Sequence, residues 1–101
     1  MRRLAPTPSP LAGAWVYLLR CADGSLYTGW TVDLEARLRR HAAGKASAYT
    51  RSRLPVELAL ALPMADRSEA LREEARIKAL DRAGKLALLA SYDARMSGVR
   101  T

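Results

Sequence analysis

The chain has one cysteine, Cys21, and one histidine, His41. A lone cysteine excludes an intramolecular disulfide, and one Cys with one His excludes a zinc finger or any other Cys/His metal cluster. A bound metal would have to rest on carboxylates and water, which favours Mg²⁺ or Mn²⁺. No apolar run approaches the length that spans a bilayer. Met1-Arg2-Arg3 has the charge of a secretion signal, but Pro6, Pro8 and Pro10 interrupt the stretch where its apolar segment would stand. The expected location is therefore cytoplasmic. Glycine is sparse, and the spacing of Gly24, Gly29 and Gly44 fits neither a P-loop nor the dinucleotide fingerprint.

What is present is hydrophobic mass and positive charge. Half of the 101 residues are hydrophobic, enough for the core of one domain. The net charge is +7 and the isoelectric point about 10.3, which points to a polyanion as partner. Fourteen of the 17 cations are arginine, whose planar fork matches phosphate oxygens in pairs.

Residues 1–13, with proline at every second position from Pro6 to Pro10, read as a disordered or extended tail. Residues 14–21 are apolar, aromatic and β-branched, the pattern of a buried strand. Asp23-Gly24 signals a hairpin, and Ser25 to Trp30 is the returning strand, with Gly29 marking a bulge or a close backbone approach. The loop length decides the chemistry. A two-residue turn would put Tyr17 and Tyr27 on opposite faces, because side chains alternate along a strand. A three-residue loop, Ala22-Asp23-Gly24, pairs Leu19 with Tyr27 and puts both phenols on one face. That loop needs a left-handed third residue, and Gly24 supplies it; an equivalent bulge near Gly29 would restore the same facing.

A helix follows from about Leu34 to Ala43, with Thr31 or Asp33 as N-cap and Gly44 as stop. Leu34, Leu38 and Ala42 form its apolar stripe. At about 100° per residue, His41 lies about 20° from Leu34 and Arg37 about 60° from it, both on the same edge. Residues 44–54 read as an irregular loop with Lys45, Arg51 and Arg53 around Tyr49. A third strand runs from Val56 to Leu62, with Val56, Leu58, Leu60 and Leu62 on one face and Pro63 at its end. Asp66 and Glu69 form a variant capping box for a second helix reaching about Asp81. Its apolar arc holds Ala70, Leu71, Ala75 and Ile77, with Glu74 inside it. Ala83-Gly84 breaks the helix before a short third one, Lys85 to Tyr92. The expected domain spans 14–93, with a frayed tail over 94–101. The order β-β-α-β-α-α predicts an α/β (α+β) fold, a three-stranded antiparallel sheet flanked by helices.

Four kinds of side chain in this pattern suit phosphodiester chemistry: the phenols Tyr17 and Tyr27, the Arg37 guanidinium, the His41 imidazole and the Glu74 carboxylate. A carboxylate on the buried side of a helix costs free energy unless something compensates it. A metal ion would do so, and so would an i,i+4 pair with Lys78. Arg37 and His41 could grip a phosphate together, or could be a snorkelling arginine and a boundary histidine. A tyrosine can exchange protons once cations or a metal perturb its phenol.

Together these residues resemble the GIY-YIG nuclease superfamily, and in particular its small single-domain YhbQ-like bacterial group. Trp15-Val16-Tyr17 stands in the place of the first motif and Tyr27-Thr28-Gly29 in that of the second, ten residues apart at the tyrosines. The run Thr31-x-Asp33-Leu34-x-x-Arg37-x-x-x-His41 resembles the first helix of the family. Lys45, Tyr49, Thr50 and Arg51 resemble a loop of the small group. Glu74-x-x-x-Lys78 resembles the later helix that supplies a metal-binding glutamate. The departures, Trp15-Val16 for Gly-Ile and Thr28 for Ile, concern strand packing.

The resemblance implies a one-metal phosphodiesterase. Glu74 would hold a single Mg²⁺ or Mn²⁺, and Arg37 would neutralise charge on the phosphoryl oxygens. Tyr27, with Tyr17 nearby, would take a proton from the attacking water or orient it. His41 would support that tyrosine or bind a phosphate oxygen. Arg37, Lys45, Tyr49, Arg51, Arg53 and Lys78 would contact the nucleic acid. The expectation is a monomeric endonuclease acting on DNA without strong sequence specificity, since no second domain is present to read bases. Two alternatives stand beside it: a nucleic-acid-binding module of the same fold with little or no catalysis, and a factor directed at RNA.

Overall fold

The first strand carries apolar side chains on both of its sides, which requires cover on both. In the computed structural model, which describes residues 12–100 and side chains as far as Tyr92, this strand is the middle of the sheet. The elements are β1 (Ala14–Arg20), β2 (Leu26–Thr31), α1 (Leu34–Ala42), α2 (Ala48–Arg51), β3 (Glu57–Met64), α3 (Arg67–Lys78) and α4 (Arg82–Arg100). Both neighbours of β1 run antiparallel to it, in the order β2-β1-β3. The expected α+β fold, an antiparallel sheet flanked by helices, is the one the chain adopts. The tail expected over 1–13 falls, up to residue 11, outside the described residues. No helix among the described residues is long and apolar enough to cross a membrane.

Ala14, Val16 and Leu18 point to one side of β1 and pack with Leu26, Leu62, Ala70, Ile77 and Leu89. Trp15, Tyr17 and Leu19 point to the other and pack with Leu34, flanked by Leu38, Val56 and Leu58. Residues of α3 and α4 thus cover one face of the sheet, and α1 the other. Each large side chain so buried stabilises the fold by about 1.5–3 kcal/mol.

The hairpin has the three-residue loop that its turn chemistry favours. Cys21 N–H donates to the Ser25 carbonyl, Gly24 N–H donates to the Cys21 carbonyl, and Gly24 sits at φ +84°. Leu19 therefore pairs with Tyr27, and Tyr17 pairs with Gly29. The loop is also held from outside. Ala22 N–H donates to the Arg53 carbonyl at 3.0 Å, Arg53 Nε donates to Asp23 Oδ2 at 3.0 Å, and the Arg82 guanidinium donates to the Gly24 carbonyl.

Asp33 is the N-cap of α1, accepting from Ala36 N–H, and the Thr31 hydroxyl braces it by accepting from Asp33 N–H at 3.1 Å. Gly44, at φ +76°, closes the helix with Lys45 N–H on the Arg40 carbonyl and Gly44 N–H on the His41 carbonyl. The segment expected as an irregular loop contains the one-turn helix α2, N-capped by Ser47.

Strand β3 departs from the expected alternation. Its register against β1 shifts between Leu18 and Leu19, so that Leu18 pairs with Leu60 but Leu19 with Leu58. The extra residue is a bulge, and it moves the second half of the strand to the other face. Val56 and Leu58 pack with Trp15 and Tyr17, while Leu60 and Leu62 pack with Val16 and Leu18. The strand also runs through Pro63, which an edge strand tolerates because half of its backbone donors need no partner.

The two last helices divide elsewhere than expected. Helix α3 stops at Lys78, and Asp81 starts α4 by accepting from Gly84 N–H at 2.8 Å. Gly84 thus lies in the first turn of α4, where a β-carbon would stand 3.1 Å from Leu80 Cβ. The helix then runs beyond Tyr92 to Arg100, across most of the stretch 94–101. On α3 the buried residues are Ala70 and Ile77, while Leu71 is 49% exposed. The inner face is thus turned toward Glu74 and away from Leu71.

Thr28 is 2% exposed on the same side as Leu18, and its hydroxyl has no hydrogen-bond partner. Valine has the same shape without the stranded hydroxyl. Thr28→Val is expected to raise the unfolding free energy by about 1 kcal/mol. Denaturant titration reads this as a higher midpoint at unchanged slope; an unchanged or lower midpoint would mean that the hydroxyl is satisfied in solution.

Candidate active site

The site is built around one buried phenol. Tyr17 is fully buried, and its ring lies across the strand onto Gly29. A β-carbon at position 29 would stand 2.6 Å from the Tyr17 hydroxyl oxygen and 2.7 Å from Cζ. Glycine is therefore the residue that leaves room for this ring, which accounts for the close approach expected at that position.

Helix α1 brings His41 to the phenol. His41 is 1% exposed, with Nε2 2.8 Å from the Tyr17 hydroxyl and Nδ1 2.9 Å from the Thr50 hydroxyl of α2. Its ring meets the edge of Tyr27 at 5.3 Å between centroids. The hydrogen bond expected to support Tyr27 thus goes to Tyr17, and Tyr27 has only the ring contact. Both ring nitrogens of His41 are thus engaged inside the protein. One turn earlier on α1, the Arg37 guanidinium stands close enough for its charge to act on the Tyr17 phenol.

Burial, seconded by the Tyr27 phenol, pushes the Tyr17 phenol up to about 12, against the lowering effect of Arg37; the Glu74 carboxylate adds to the rise. Burial, with the Arg37 charge second, pushes His41 down to about 4. Both groups are neutral around pH 7. Tyr27 is only half-buried, so of the two phenols it is the one that reaches solvent.

Glu74 sits on α3 with a side chain 15% exposed, and its Oε2 is 3.3 Å from Lys78 Nζ. The i,i+4 pair that the spacing allowed is formed. It stands within electrostatic reach of Tyr17, and Lys78 is 54% exposed, so the pair opens to water. Among the described residues no three His, Cys, Asp or Glu side chains gather as a metal cluster. The one carboxylate beside phenol oxygens fits a hard cation that keeps water and phosphate as its other ligands.

The cations expected to hold nucleic acid divide into two sets. Lys45 and Arg51 are exposed. Arg53 is committed within the fold: besides Asp23 it donates to the Tyr49 carbonyl at 2.9 Å, and its guanidinium lies 3.8 Å over the Tyr49 ring. Tyr49 in turn stacks on Tyr27, at 5.8 Å and 29°. Arg53 therefore acts as a clamp from the hairpin loop to the ring that backs Tyr27. A cavity of about 270 Å³ opens beside Arg37, lined by Trp30, Thr31, Val32, Arg37 and Arg67. Sequence reasoning passed over Arg67, whose place at the start of α3 reads as an ordinary surface position. Thr50 entered only through the resemblance, with no role of its own.

A fold of this order, with two strand tyrosines, a helix arginine and histidine and a later helix glutamate meeting beside the sheet, defines a nuclease-type domain of the GIY-YIG kind. A GIY-YIG catalytic domain profile matches residues 13–87, and the chain belongs to that family. It is similar to the UPF0213 protein OB0043 of Oceanobacillus iheyensis, with 51% identity over 75 residues, 74% of this chain and 87% of that one. It is 50% identical over 84 residues to a UPF0213 protein of Syntrophus aciditrophicus, covering 81% of this chain and 95% of that one. Among solved structures it resembles the UPF0213 protein BH0048 of Bacillus halodurans, with 42% identity, a TM-score of 0.52 and coverage of 76% and 82%. It also resembles EF2693 of E. faecalis, with 37% identity, a TM-score of 0.55 and coverage of 79% and 85%.

The depressed His41 value sets a pH dependence. The unfolded imidazole protonates near 6.5 and the folded one near 4. The unfolded state therefore binds more protons between those values, and stability falls as pH drops from about 6.5 to about 4. The loss is expected to be about 2–3 kcal/mol by the lower end. His41→Gln should flatten this part of the pH profile; an equal slope in the variant would place the dependence elsewhere.

Proposed function

We propose that the protein is a divalent-metal-dependent endonuclease that hydrolyses phosphodiester bonds of DNA without strong sequence specificity. The observation that carries this reading is the meeting of Arg37, His41 and the Tyr27 ring around the Tyr17 phenol, within reach of the Glu74 charge. Arg37 donates only, and its free donors suit the phosphoryl oxygens on which charge builds. Tyr27, partly open to water, orients the attacking water or accepts its proton. Tyr17 stays protonated on His41, beside the guanidinium. Glu74 is the residue that would hold Mg²⁺ or Mn²⁺, with Lys78 turning from the carboxylate to a substrate phosphate. Such an ion supplies Lewis-acid polarisation of the phosphate and stabilises the leaving oxygen.

Lys45 and Arg51 track the backbone from one side, and Arg67 does so from the cavity beside Arg37. These are phosphate contacts, which position a strand without reading its bases. One observation favours the binding-module alternative: the Glu74 carboxylate is already paired with Lys78. Cleavage decides between the two readings.

Purified protein is expected to nick plasmid, single-stranded or branched DNA with Mg²⁺ or Mn²⁺, with RNA as the comparison substrate. Glu74→Gln should lower cleavage by at least about 100-fold while DNA binding persists. Wild-type protein that binds but does not cleave would establish the binding module. Binding itself should weaken steeply with salt. About five phosphate contacts give a log–log slope of about −4 to −5 on duplex DNA, and a flat response would remove nucleic acid as the partner.

A further inference from the structure

Thr50 is one of the few fully buried polar side chains, and nothing in the reaction chemistry above uses it. It lies on α2, between the histidine and the loop, in a chain of hydrogen bonds that runs from Tyr17 to Ser47. The Tyr17 hydroxyl meets His41 Nε2 at 2.8 Å, His41 Nδ1 meets the Thr50 hydroxyl at 2.9 Å, and that hydroxyl meets Ser47 Oγ at 2.9 Å.

The direction of the chain follows from which groups can donate. The nearby Arg37 guanidinium has donors and no acceptor, so it cannot take the Tyr17 proton. The Tyr17 proton must then go to another acceptor, and His41 Nε2 is the one within hydrogen-bonding distance. A neutral imidazole that accepts at Nε2 carries its proton on Nδ1. That proton points at Thr50 Oγ1, and the threonine passes its own to Ser47, either to Oγ or to the carbonyl at 3.4 Å. Ser47 is fixed in turn as the N-cap of α2, where its Oγ accepts from Thr50 N–H at 3.1 Å.

We propose that Thr50 is a positioning residue of the active site: by accepting the Nδ1 proton of His41 it locks the Nδ1–H tautomer, and through His41 it turns the Tyr17 oxygen toward Arg37. The geometry stands independently of any activity; only its kinetic consequence rests on the nuclease reading above. Without the threonine oxygen, Nδ1 would lose its acceptor in a buried place, which favours moving the proton to Nε2. Nε2–H would then donate to the Tyr17 oxygen and compete with Arg37 for it. The phenol proton, displaced from His41, would then turn toward the Arg37 charge.

The test is a nitrogen-15 spectrum of the His41 imidazole around pH 7, which separates protonated from unprotonated ring nitrogens. His41 is the only histidine, so no assignment is needed. Wild type is expected to show a protonated Nδ1 and an unprotonated Nε2. Thr50→Val, which keeps the shape, should move the proton to Nε2, and Thr50→Ser should leave it on Nδ1. Cleavage by Thr50→Val should fall about 10- to 100-fold in kcat with KM for DNA unchanged, and Thr50→Ser should restore it. A wild-type Nε2–H tautomer overturns the proposal, and that measurement needs no variant to fold. A Thr50→Val spectrum identical to wild type also overturns it. If the tautomer moves as expected while wild type cleaves nothing, the lock stands and the nuclease reading falls.

Discussion

The rest of the site depends on one contact, the Tyr17 ring lying over Gly29 where a β-carbon would otherwise stand. A phenol cannot be buried in the middle of a sheet unless its oxygen finds partners, and here they come from a helix on the same face. The ring reaches them only by crossing the neighbouring strand where no side chain stands. That requires glycine directly opposite the tyrosine, which requires an even register, which requires the three-residue loop with Gly24 left-handed. The turn, the strand glycine and the helix histidine are thus three parts of one arrangement, although they are separated along the chain.

The polar groups so gathered are neutral where they are buried and charged where they are open. Tyr17 and His41 share a hydrogen bond without sharing a proton, because burial moves their titrations apart, one upward and one downward. The charges sit at the rim: Arg37 on one helix, Glu74 with Lys78 on another. Neutral interior groups can hold direction without the desolvation cost of an ion. The rim charges are then free to respond to an incoming phosphate.

Much of this was legible in the chain, and the failures share a cause. The hairpin register followed from turn chemistry, because Gly24 suits only some loops. The caps of α1 and α3 followed from Asp33 and Asp66, whose side chains accept the first free amides. The β3 bulge was hidden because apolar residues occupy both parities from Leu58 to Leu62, so alternation carried no signal. Helix α2, one turn long, is too short for any period. The stop before α4 was misplaced because Gly84 looks like a helix terminator when its function is to clear Leu80. The fold partners of Arg53 and Thr50 were hidden for a related reason. Their partners, Asp23 and His41, lie 30 and 9 residues away and are chosen by the tertiary fold.

The hairpin loop shows what such distant partners do in time. Its own strands are local and can zip together early, on the scale of about 1–10 μs for an isolated hairpin. The two arginines that grip its tip arrive over separations of 30 and 58 residues. Closing such long segments costs entropy before it returns any contact, so these grips form after the hairpin itself. Bonds made after the rate-limiting step govern how slowly a fold opens more than how fast it forms. Arg53 and Arg82 therefore act as a latch, contributing to the lifetime of the native hairpin and little to its nucleation.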